Sequence, residues 1–137
     1  MRVVLDTNVL VSGLLNPYGA PGQIARMAAM GEISLCFDAR ILGEYREVLL
    51  RPRFGFRAEH VDALLEQIRT AGVSAATHPL TSQLPDRDDE AFLEVAIASA
   101  AEYLVTGNSR HYPARLRSGV QVVSPAEFVE VCRTTQA

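Results

Sequence analysis

The sequence contains no lysine: all thirteen of its basic side chains are arginine. That absence excludes P-loop nucleotide chemistry, Schiff-base catalysis and any phosphate site that needs a lysine. It leaves phosphodiester recognition open, because the guanidinium fork grips phosphate through paired hydrogen bonds. Cysteine is also scarce, with two in 137 residues, which excludes a disulfide framework and fits a reducing cytoplasm. Cys36, inside the apolar run Ile33-Ser34-Leu35-Cys36-Phe37, reads as a core thiol. No apolar run is long enough to span a bilayer, and Met1 leads into the first strand with no room for a signal peptide. A net charge of −3 excludes a global basic field that would advertise a nucleic-acid partner. The length suits one domain, residues 1–137, with a full hydrophobic core.

What is present is a regular alternation. Val3-Val4-Leu5 reads as a strand buried on both faces, followed by a helix from Val9 to Leu15 that breaks at Asn16-Pro17-Tyr18-Gly19. Pro21 opens a second helix that stops at Gly31, with Met27 and Met30 most simply in the core. Ile33–Phe37 is the second strand, and Asp38 caps a helix from Ala39 to about Leu50. A helix over Ala58–Ala71 precedes a weak strand at Val73–Ala76. A polar loop, Thr77–Arg87, leads into Asp88-Asp89-Glu90 and a helix reaching Ala101. Loops of that length are often functional. Tyr103–Val105 and Val120–Val123 complete the strands, and Ser124-Pro125-Ala126-Glu127 is a capping box that opens a closing helix. Strands alternating with helices predict an α/β fold, a parallel sheet with helices on both faces.

The carboxylates give this scaffold its chemistry. Asp6 follows a buried strand directly, at the end where open α/β sheets place their ligand crevices; the plainer reading of Asp6 or Asn8 is a helix cap. Ile41, Leu42, Tyr45, Val48 and Leu49 form one apolar helical stripe. Glu44 falls just past its edge, where it can lean over the sheet's rim, whereas Glu47 points to solvent. In Asp86-Arg87-Asp88-Asp89-Glu90, Asp89 shares the inner side with Phe92 and Leu93, and Asp86 and Glu90 are expected outward. Acids there also suit a helix's first turn on dipole grounds alone. Thr106-Gly107-Asn108 repeats the polar-after-strand pattern of Asp6. Oxygen donors converging with no histidine or cysteine among them describe a hard-cation site, suited to magnesium or manganese rather than zinc. The simplest chemistry for such a site is metal-assisted phosphodiester hydrolysis.

Asp6-Thr7-Asn8, the isolated Glu44, the run Asp86–Leu93 and Thr106-Gly107-Asn108, in that order across essentially the whole chain, resemble a PIN domain. The likeness is greatest to prokaryotic PIN proteins regarded as toxins of toxin–antitoxin pairs. It implies a three-layer α/β/α fold with a five-stranded sheet in order 3-2-1-4-5, and a Mg2+- or Mn2+-dependent endoribonuclease. By that likeness Asp6, Glu44 and Asp89 form the catalytic triad and hold the metal with Asn108. Asn108 stands where many members carry a fourth aspartate, which argues for one metal rather than two. Asn8 and Thr106 would steady the carboxylates on the substrate side. A cognate antitoxin and a homodimer or higher homo-oligomer are further implied partners.

Arg110 and His111, with Arg115 and Arg117 beyond, form a basic run for an RNA substrate, His111 as a phosphate contact or a surface residue, and Tyr112 offers a ring for an unpaired base. Arg51, Arg53 and Arg57 form a second basic group for RNA or an acidic partner. His60 and His78 show no ligand spacing. Two other readings stay open: a PIN-like module that binds RNA or protein without cutting, and a phosphatase with Asp6 as covalent nucleophile. The latter needs a second aspartate at position 8 and a later lysine, and the chain has neither.

Overall fold

A computed structural model describes residues 1–135. Five strands, β1 (Arg2–Leu5), β2 (Ser34–Phe37), β3 (Val73–Ser74), β4 (Tyr103–Val105) and β5 (Gln121–Val123), form one parallel sheet. The order is β3-β2-β1-β4-β5, as expected. Val3, Val4 and Leu5 are at most 1 % exposed, because a central parallel strand is covered on both faces.

Six α-helices flank the sheet: α1 (Thr7–Leu15), α2 (Ala20–Ala29), α3 (Ala39–Leu49), α4 (Ala58–Ala71), α5 (Glu90–Ala98) and α6 (Pro125–Thr135). Their starts follow local chemistry. The Asp38 carboxylate accepts the Ile41 amide at 3.0 Å and caps α3. Ser124 and Glu127 exchange the two bonds of a capping box, at 2.9 and 3.1 Å, and open α6. Gly22 lets α2 approach the preceding turn, since a Cβ there would fall 2.4 Å from the Pro17 carbonyl.

Three local expectations change. The helix expected to reach Ala101 ends at Ala98, where Ala100 adopts a left-handed φ of 52° and the Ala101 amide bonds back to Ala96. Residues 87–89 form a 3-10 turn ahead of α5 rather than its first turn. Met30 is not core: it follows the end of α2 and is 72 % exposed, while Met27 is half-buried.

The long loop is held by α5. Leu84 is buried, its amide bonded to Glu90 at 3.0 Å, and the Leu80 amide reaches Glu94 at 3.3 Å. Arg40 adds an ion pair to the buried Glu94 at 2.9 Å. Glu90 therefore turns toward the loop rather than outward, which fixes the segment that delivers Asp86.

Candidate metal centre

The site forms at the carboxyl ends of β1 and β4, where the order of connections reverses across the sheet. Asp6 leaves β1 with its amide bonded to Val105 at 2.9 Å, and its side chain makes no cap bond to α1. The Thr106 hydroxyl instead donates to Asp6 Oδ2 at 2.7 Å, within a fully buried pair. Capping therefore does not explain Asp6. Burial pushes the Asp6 carboxyl above its usual range, and the Thr106 bond opposes that rise.

Glu44 stands half-buried on α3, and the hydroxyl of Thr7 donates to its Oε2. Burial raises its pKa, the Thr7 bond lowers it, and the charge of Asp6 raises it again. Asp89 is 8 % exposed and is pushed up to about 6, chiefly by burial and then by the charge of Asp6. Three acids that each hold their protons harder than usual share one electrostatic neighbourhood. His111 offsets only part of that rise at Asp6 and Asp89.

The closest gathering of ligand atoms is different from the expected one. Among the described residues, Asp86, Asp89 and His111 each offer an atom within 4.8 Å of the others. Asp6, Glu44 and Asp89 do not meet that distance as a threesome. Asp86 is exposed, as expected, yet it joins the cluster. One of its oxygens caps the 3-10 turn by accepting the Asp88 amide at 2.9 Å. His111, beside a donor set expected to be all oxygen, brings its Nδ1 to 2.9 Å from Asp89 Oδ2. Apart from this ion-pair contact, Asp89 Oδ2 is buried without another partner among the described residues. A buried carboxylate oxygen beside two further ligand groups fits a divalent cation.

Other expectations resolve case by case. Asn108 is exposed at the rim, its Nδ2 2.7 Å from His111 Nε2 and its amide bonded to Thr106 Oγ1 at 3.1 Å. Asn8 is exposed and, among the described residues, makes no hydrogen bond to the acids. Its neighbour Thr7 makes that contact instead, the one supporting group that sequence reasoning missed although it lies inside the same motif. Tyr112 cannot stack on a base: it is 0 % exposed, packed beneath the site. Its hydroxyl is buried without a partner, and burial together with the charges of Asp6, Asp89 and Glu44 raises its pKa far above the usual range.

Arg117 belongs to the fold rather than the basic run, since its Nε donates to the Tyr112 carbonyl at 2.7 Å. Arg110 and Arg115 are exposed and have no carboxylate in ion-pair range among the described residues. Of the second basic group, Arg51 and Arg57 face Glu47 and Glu59, and Arg53 lies over the Phe54 ring at 4.8 Å. His60 and His78 are exposed, outside the cluster. A shallow cavity of about 250 Å3 opens beside Glu44, bordered by Arg40, Arg87, Asp88 and Phe92.

The structure is a five-stranded parallel α/β domain with buried acids at its switch point. The PIN domain family matches residues 2–110, and the chain belongs to that family. It is also 29 % identical to an uncharacterized protein of Methanocaldococcus jannaschii, over 95 % of this chain and 90 % of that one. Among the described residues no helix is long and apolar enough to cross a membrane.

Proposed function

We propose that the chain, residues 1–137 acting as one nuclease domain in the cytoplasm, is a magnesium- or manganese-dependent endoribonuclease. The observation that carries this reading is the buried Asp89 Oδ2 with ligand atoms of Asp86 and His111 within 4.8 Å and the charge of Asp6 beside it. Asp89 anchors the cation, and Asp6 and Glu44 complete the acidic triad around it. Thr106 and Thr7 keep two of those carboxylates in one orientation, which limits the reorganisation needed when a substrate arrives. Bound there, a divalent ion would supply charge neutralisation, polarisation of a phosphate oxygen and a lowered water pKa, so that hydroxide is available near neutral pH.

The protein's own contribution is placement. Arg110 and Arg115, exposed after β4 and without a carboxylate in ion-pair range among the described residues, draw the RNA backbone toward the crevice. The anchored loop 77–87 presents Asp86 and Asp89 on a short turn rather than a mobile tip. The chain's negative net charge keeps binding local to these arginines. The same reading makes the protein the toxin of a toxin–antitoxin pair, self-associating and restrained by an antitoxin that covers the acids.

The test is cleavage of total RNA by purified protein with Mg2+ or Mn2+, beside Asp6→Asn and a chelated control, and growth on induced expression of both forms. Discrete RNA fragments and growth arrest should require both the metal and Asp6. Equal cleavage by Asp6→Asn, folded by circular dichroism, would reject the enzyme; growth unaffected by an active enzyme would reject the toxin role alone.

A further inference from the structure

The proposed metal site was expected to be built of oxygens alone, yet the group with ligand atoms closest together includes an imidazole. His111 reaches it because Ser109–His111 wind into a single 3-10 turn straight after Asn108. That turn folds the ring back over the end of β4. Its position lies one residue beyond the segment matched by the PIN family.

The ring is held on both edges. Nδ1 faces Asp89 Oδ2 at 2.9 Å, and Nε2 faces the Asn108 side-chain amide at 2.7 Å. A metal-binding histidine ordinarily has its second nitrogen fixed in this way by a neighbour. An amide serves either tautomer. With Asn108 Oδ1 turned to the ring, Nε2–H donates and the Nδ1 lone pair is free to face Asp86 and Asp89. An aspartate at position 108 would bring another negative charge to carboxylates that already hold their protons too tightly. Asparagine orients the ring without adding one.

Among the described residues, Asp89 Oδ2 is buried with His111 Nδ1 as its close polar neighbour, and the hydroxyl of the fully buried Tyr112 has no partner. A cation between Asp89 and His111 would bind both that Oδ2 and that Nδ1.

We infer that His111 is a direct metal ligand, with Asp86 and Asp89, and that it biases the site from Mg2+ toward Mn2+ and other borderline transition ions. The inference rests on the metal-site reading above and goes further by fixing which ion the site prefers. Mg2+ favours six oxygens and gains little from imidazole, whereas affinity of nitrogen-containing sites rises from Mn2+ through Co2+ to Ni2+.

The experiment is metal binding by calorimetry, with Mn2+ and Mg2+ titrated separately, and pulsed electron paramagnetic resonance of bound Mn2+. Wild type, His111→Ala and Asp89→Asn are compared after circular dichroism shows each to be folded. Wild type should show the nitrogen modulation of a directly bound imidazole, which needs no variant. His111→Ala should lose that modulation and about 10–100-fold in Mn2+ affinity, with Mg2+ affinity changed by less than about threefold. Absence of nitrogen coupling, or an equal effect on both ions, overturns the role of His111. If Asp89→Asn still abolishes binding of both ions in that case, the metal site itself stands. If Asp89→Asn binds both as wild type does, the metal-site reading falls and His111 with it.

Discussion

Asp89→Asn should make the metal-free protein more stable while removing its response to metal. Its carboxyl rises from 3.8 to about 6, mainly through burial, with the charge of Asp6 adding to it. Between those values the native state binds more protons than the unfolded chain, so stability falls as pH rises through the window. Below about 3.8 both states are protonated and nothing is lost; above about 6 the penalty is complete. At 1.36 kcal/mol per unit the full shift would be worth about 3 kcal/mol, which screening at an open crevice reduces to about 1–2 kcal/mol. Asparagine keeps the shape and carries no charge; Asp89 makes no side-chain cap bond that the change would break, and the amide oxygen can still face His111 Nδ1. With about 2.1 cal/mol/K of unfolding entropy per residue, the variant should melt roughly 3–7 °C above wild type in chelator near neutral pH. The two should melt together at about pH 3.5, where neither carries the charge. Metal reverses the order: saturation at a hundredfold excess over Kd adds about 2.7 kcal/mol to wild type and little to the variant. Differential scanning calorimetry at the two pH values, with and without Mn2+, reads all four conditions. A variant less stable than wild type in chelator, or raised equally by metal, would refute the view that Asp89 is a destabilising charge kept for a cation.

Thr106→Val removes the bond to Asp6 Oδ2, and hydrogen bonds to a buried carboxylate are worth about 1–3 kcal/mol. Urea unfolding should show that loss, and metal affinity should drop about tenfold; a neutral result would deny Thr106 its part in holding Asp6. Tyr112→Phe deletes a buried hydroxyl without a partner, so in chelator it should stabilise the fold by about 1 kcal/mol, whereas destabilisation would reveal a bonded hydroxyl. Ser124→Ala breaks the capping box of α6 and should lower stability by about 1 kcal/mol with Mn2+ binding unchanged, a control that separates fold from site.

Much of the scaffold is written locally. Val3-Val4-Leu5 is a buried strand because a parallel strand covered on both faces must be continuously apolar. Asp38 and the Ser124–Glu127 box mark helix starts because capping bonds span only three residues. Alternating elements imply the parallel sheet, and Asp6 lies at its carboxyl end by sequence adjacency alone. Glu44 follows from helical periodicity, since it flanks an apolar stripe whose direction is set by the core, whereas Asp89 is turned inward by the 3-10 turn ahead of α5.

Other features were settled only by tertiary packing. Tyr112 and His111 are adjacent, yet one ring is fully buried and the other half-exposed among the acids. A three-residue 3-10 turn has no repeating period from which either direction could be read. Thr7 rather than Asn8 contacts Glu44 because α1 rotates that hydroxyl toward α3, and Asp86 enters the cluster because Leu84 and Glu90 anchor the loop behind it. Periodicity and capping act within one element and so belong to the sequence. The choice of ligand atoms depends on side-chain directions across several elements, and only the packed chain decides those.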